Sequence, residues 1–162
     1  MSRKRSKTAR DARSAARLAA VQGLYQMDLA ATDINVVIRD LTLEPIRETA
    51  EGEIEEGEPV PDPTFLGELL RGVVRCQREI DPAVDNQLAT GWRLTRVDSI
   101  LRAILRSGVF ELMERKDVPA RVVINEYIDI AHAFFDDDEP KVVNGILDKI
   151  ARRLRPGEFA TT

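Results

Sequence analysis

This 162-residue chain has one cysteine, one histidine, one tryptophan and only 5% aromatic residues, so it is poor in the side chains that most often perform chemistry. The lone Cys76 excludes an intramolecular disulfide and, on an apolar helical pattern, reads as a small hydrophobe. The lone His132, on a helix beside Phe134, reads as a packed or half-exposed side chain rather than a general base. There is no phosphate-cradling glycine loop and no nucleophile elbow. No apolar run approaches the roughly 20 residues needed to span a membrane. The polar, basic start lacks the apolar core of a secretion signal, so a reducing cytoplasm is the expected location. Asp136, Asp137, Asp138 and Glu139 form an acidic run without the alternating spacing and central glycine of a calcium loop. Placed just before Pro140, they suit the start of a helix, and neither metal nor cofactor is expected.

What is present is a charge segregated along the chain. Arg3, Lys4, Arg5, Lys7, Arg10, Arg13 and Arg17 face only Asp11 among the first seventeen residues, although the net charge is −4. Clustered cations create a local positive potential that can neutralise phosphates even on an acidic protein. The end of this arm runs into a helix, which orders part of the charge and favours nucleic-acid binding over a merely solvated tail. Residues 44–63 are the counterpart: Glu44, Glu48, Glu51, Glu53, Glu55, Glu56, Glu58 and Asp62 against Arg47, interrupted by prolines and glycines. Such a composition cannot bury enough apolar surface to offset ordering, and predicts a mobile acidic loop.

Elsewhere the apolar period is close to 3.6, and no alternating run reads as a strand, so the fold class is all-α. The pattern predicts a first helix over 10–30 with Leu18, Val21, Leu24, Tyr25 and Leu29 near one face, and Arg13 and Arg17 on a shared stripe. Asp33 suits the cap of a short second helix. Thr64 is the expected cap of a helix to about residue 80, with Phe65, Leu66, Leu69, Leu70, Val73 and Val74 inward, and Asp81 with Pro82 restarts a short helix toward residue 89. Thr95 and Asp98 have capping-box spacing at the start of a central helix. Gly108 inside it costs about 1 kcal/mol against alanine, which a closely crossing helix would explain. Pro119 and Pro140 begin the last two helices, and Pro156 with Gly157 stops the chain's helical run. Asn144 and Gly145 are expected to serve close helix contact and a buried hydrogen bond. The sum is about seven helices in two small antiparallel bundles divided near the acidic loop. A flexible basic arm (1–9), one helical domain (10–156) and a short tail (157–162) are expected.

Several segments carry a family resemblance. Arg13-Ser-Ala-Ala-Arg17 is followed by Ala20-Val-Gln-Gly-Leu-Tyr25-Gln-Met. Later come Ile104-Leu-Arg106, Phe110-Glu-Leu112, Asp117-Val-Pro119, Val123-Ile-Asn-Glu126 and Val143-Asn-Gly145-Ile-Leu-Asp148-Lys. In this order and near this spacing they resemble the NusB family of bacterial transcription antitermination factors, across the first helix and nearly everything after Thr95.

The resemblance implies a NusB-like fold of two helical bundles without enzymatic activity. It also implies binding of single-stranded boxA RNA together with the ribosomal protein NusE, action on RNA polymerase and support of ribosomal RNA transcription. By position, Arg13 and Arg17 match the family's arginine-rich RNA-binding motif, Lys141 a basic position at the RNA-facing start of the last helix, and Asp138 the acidic position before it. Tyr25 matches a tyrosine on the NusE side. Ser14 and Ala15 fall where other members can carry arginine, and Arg3, Lys4, Arg5, Lys7 and Arg10 are expected to supply that charge from the arm. Phe135 is the preferred aromatic for base stacking, with Tyr25 and Phe134 as readily core residues. A freestanding ribosomal RNA-binding module of the same fold and a protein-only helical adaptor are the alternative functions.

Overall fold

A computed structural model describes the backbone of residues 2–43, 59–88, 93–94 and 97–159; the acidic segment 44–58 and Thr95 lie outside the described residues. Among the described residues seven helices follow one another: α1 (Ser2–Ala30), α2 (Ile34–Leu43), α3 (Pro63–Asp85), α4 (Ser99–Glu114), α5 (Ala120–Phe134), α6 (Glu139–Leu154) and α7 (Pro156–Phe159). No strand occurs among the described residues. The number agrees with the periodicity, but the partition differs in physically instructive ways.

Helix α1 begins at Ser2 rather than near Arg10, so the backbone of the basic arm is helical. Its sequence there is free of glycine and proline and rich in Arg and Lys, both favourable in helices. Helix α3 is capped by Asp62, not Thr64: the Asp62 carboxylate accepts the Phe65 N–H at 3.0 Å, and Pro63 opens the helix. Nor does α3 break at Pro82, which lies inside it. A proline removes one backbone hydrogen bond, and here fully buried Ile80 and Val84 flank the site and hold the helix in place. Asp98 is itself the N-cap of α4, with its carboxylate accepting from the Ile100 and Leu101 N–H groups. Beyond Arg155 the chain turns once more as α7 instead of ending as a tail.

The chain divides into two compact units, Met1–Leu70 and Arg71–Thr162, so the division falls within α3 and not at the acidic loop. In the first unit, Ala31 adopts a left-handed conformation (φ 49°) between α1 and α2, and Asp33 accepts the Asn35 N–H at 2.9 Å. A Cβ on Gly23 would lie 2.9 Å from Val37 Cγ1, so glycine is what lets α1 and α2 approach. Two residues expected inward are exposed instead, Leu29 at 64% and Val74 at 49%, because the buried stripes of α1 and α3 are narrower than the apolar pattern.

In the second unit α4 is central, as its apolar stripe required, and packs against α5 and α6. A Cβ on Gly108 would stand 2.8 Å from Leu147 Cδ1 of α6, which is the close crossing its position called for. Polar groups are built into this core in pairs. Arg106 donates from Nε and Nη2 to the two carboxylate oxygens of Asp81, each at 2.9 Å. Tyr127 Oη donates to Glu111 Oε2 at 2.6 Å with both residues fully buried. Arg155 donates to the carbonyls of Glu111, Leu112, Arg115 and Val118 and to Glu158, closing the end of α4 and the turn into α5.

Candidate nucleic-acid interface

In the first unit the arginine stripe of α1 stands over one aromatic ring. The Arg13 guanidinium lies 5.8 Å and that of Arg17 5.1 Å from the centroid of Phe65, the third residue of α3. Their four-residue spacing puts both on one side of α1, and the ring supplies a face to each. The two arginines are not equivalent. Arg13 is exposed, whereas Arg17 is only 2% exposed. Arg17 therefore departs from its expected place as a surface phosphate ligand: its guanidinium is sequestered against Phe65, where it supports the ring that Arg13 uses. The Asp62 N–H donates to the Ala12 carbonyl at 3.0 Å, tying the residues before α3 onto α1 beside Arg13. Arg3, Lys4, Arg5, Lys7 and Arg10 lie on the helical backbone of α1, with their side chains outside the described residues. Tyr25 is 37% exposed on the same helix.

The second unit carries the other expected residues where α5 hands over to α6. Phe135 is the extended residue that ends α5, its N–H donating to the Ala131 carbonyl, and its side chain is half-buried. Its neighbour Phe134, expected to be as readily a core residue, is 38% exposed. Asp138 is the N-cap of α6, but its side chain makes no capping hydrogen bond, contrary to the expected cap role; its exposed carboxylate faces solvent. Lys141 follows in the first turn of α6, also exposed. Asn144 and Gly145 do not serve a helix contact: both are exposed, and a Cβ on Gly145 would meet nothing within 4 Å. They fall on the outward side of α6 because Val143, Ile146, Leu147 and Ile150 take the inward one.

Sequence reasoning missed the role of Phe65. Its apolar spacing marked it as core, and it is 3% exposed, but a pairing with two arginines some fifty positions earlier leaves no local signal. The reading likewise did not anticipate that Arg106 and Glu111, within segments that carry the family resemblance, are occupied by Asp81 and Tyr127 inside the second unit.

The described residues make an all-helical protein that carries exposed cations on α1 and α6 over cores with paired polar groups. The family model described as NusB family matches residues 14–152. The chain belongs to the NusB family. The transcription antitermination protein NusB of Rhodopseudomonas palustris (strain TIE-1) is 50% identical over 149 residues, covering 91% of this chain and 83% of that one. The protein of the same name from Nitrobacter hamburgensis is 49% identical over 149 residues, covering 91% of each chain. Among solved structures, T. maritima NusB is similar with a TM-score of 0.74 and 27% identity, covering 91% of this chain and 96% of that one. A structure of the antitermination factors NusB and NusE in complex with dsRNA shares the fold at a TM-score of 0.69 and 24% identity, over 87% of this chain and 96% of that one.

Proposed function

We propose that the chain is a non-enzymatic, cytoplasmic RNA-binding factor. In this reading it takes single-stranded boxA RNA together with the ribosomal protein NusE and acts on RNA polymerase in antitermination, supporting transcription of ribosomal RNA. The observation that carries this reading is the basic start of the first helix: seven cations against one acid in the first seventeen residues of a chain of net charge −4, with Arg13 exposed and its guanidinium over Phe65. Arg13, with Arg3, Lys4, Arg5, Lys7 and Arg10, neutralises phosphates; Arg17 positions the stripe from beneath. Lys141 adds a phosphate contact from α6, and Asp138 opposes it with a negative charge. Phosphate contacts position a strand without reading it, so sequence choice rests on unstacked bases meeting Phe135 or the more exposed Phe134. Tyr25 faces NusE. Family membership and the antitermination proteins of high identity support the function, and the related NusB–NusE complex supports the partners.

Mobility shift of labelled boxA RNA against a scrambled strand, with and without NusE, tests the proposal. A boxA-selective shift strengthened by NusE is the expected result. A preference for structured RNA points instead to a ribosomal RNA-binding module, and absence of any shift to a protein-only adaptor.

A further inference from the structure

A cavity of about 360 Å³ opens in the second unit where α5 starts, α6 ends and α7 turns, lined by Arg121, Ile124, Asn125, Asp148, Arg152 and Phe159. Arg152 donates from Nε to Asp148 Oδ2 at 2.9 Å, and its guanidinium stands 4.8 Å from the centroid of the Phe159 ring. Asp148 is thereby neutralised, and the lining keeps the charge of Arg121, an exposed cation with no ion pair among the described residues. The nearby acid Glu158 is committed elsewhere, accepting the Ala120 N–H at 2.9 Å and an Arg155 N–H at 3.2 Å. A free guanidinium, an aromatic ring, a side-chain amide and the aliphatic Ile124 make a set that suits one nucleotide: phosphate, stacking face, base edge and an apolar wall.

The two α6 residues that line the cavity, Asp148 and Arg152, share a helix stripe with the start of α6. Lys141, Gly145, Asp148 and Arg152 follow at i, i+4, i+7 and i+11, one stripe of the helix, and at about 1.5 Å per residue Arg152 lies about 16 Å along the axis from Lys141. Between them Gly145 presents bare backbone with open space where a Cβ would be, and Asn144 beside it is exposed with an amide able to donate and accept. The packing of α6 does not account for either residue; a strand laid along the helix does.

We propose that this outward stripe of α6 is a track on which RNA held at Lys141 continues, and that the cavity takes one of its nucleotides. The phosphate lies against Arg121 and the base against Phe159. The inference rests on the RNA-binding reading above and extends it to residues that reading does not use. The test is a titration, in the presence of NusE, of a boxA strand and of the same strand lengthened at either end by a short adenosine run. Extension at one end is expected to tighten binding about fivefold or more, the worth of one stacked base. Arg121→Glu and Phe159→Ala each remove that gain while binding the unextended strand as the parent protein does; Arg121 is exposed, so its variant tests the site without disturbing the core. No gain from either extension, or a gain that survives both variants, overturns the proposal while leaving the boxA reading intact. Failure of the unextended strand to bind the parent protein overturns the boxA reading itself. Saturable binding of free adenosine monophosphate at Arg121 without any gain from extension overturns the track and makes the cavity a site for free nucleotide.

Discussion

Removing the Arg155 side chain should loosen one end of the second unit. The side chain is 3% exposed and donates to four backbone carbonyls: Nε to Leu112 at 3.0 Å, Nη2 to Glu111 at 2.9 Å and Arg115 at 2.8 Å, and Nη1 to Val118. Three of these carbonyls belong to the last turn of α4 and the residue after it, where the helical ladder ends; Glu111 O also accepts the Arg115 N–H and Arg115 O the Val118 N–H, so the guanidinium reinforces the turn that leaves α4. Hydrogen bonds to a charged donor contribute about 1.5–3 kcal/mol each, but they share one guanidinium and some freed carbonyls will find water. A loss of about 3–5 kcal/mol for Arg155→Ala follows, at the scale of breaking a buried ionic group. At about 2–4 °C per kcal/mol for a chain of this size, the thermal midpoint falls by about 6–20 °C. Arg155→Lys recovers only part of this, because a single ammonium cannot span the fork of carbonyls. Amide hydrogen exchange at the end of α4 and the first turn of α5 should accelerate before the rest of the unit. A loss under about 1 kcal/mol, or full rescue by lysine, would mean that the fork of carbonyl contacts does not hold this end of the unit.

Arg13→Ala should flatten the slope of log RNA affinity against log salt by about 0.7, the share of one single-strand phosphate, without moving the thermal midpoint; an unchanged slope removes Arg13 from the interface. Asp138→Asn should raise RNA affinity at low salt, by an amount that shrinks as salt is added, and should leave stability unchanged because the carboxylate caps nothing; mobility shift and thermal melting check both halves. Gly145→Ala should stabilise the protein by up to about 1 kcal/mol in urea unfolding, since the position is helical and open. Gly72→Ala should do the opposite, because its Cβ would fall 2.1 Å from Cζ of the buried Phe110 ring.

The helical class, the central α4 and the close crossing at Gly108 were legible because each leaves a local periodic or compositional trace. Proline was the least dependable signal: Pro82 was read as a break and Pro156 as a stop, yet tertiary burial around Ile80 and Val84 overrides the first, and α7 starts on the second. Capping letters were legible as a type but not as a position, so Asp62 took the place given to Thr64. At the candidate interface the charges were evident in the sequence, and their exposure was not. Arg13 and Arg17 are the same residue one turn apart and both stand over Phe65, and only their burial in the fold distinguishes the outward cation from the enclosed one. Asn144 and Gly145 were misread because an asparagine–glycine pair inside a helix suggests packing until the helix is seen to turn it outward.

Cys76 is the chain's only thiol and is 5% exposed within α3. A maleimide dye offered to the folded protein therefore meets no competing native target, and a cysteine introduced at exposed Asn144 becomes a selective attachment point on α6. The interior placement of one sulfur atom thus makes the protein a ready-made optical reporter, in which arrival of a strand on that helix is read as a change in emission.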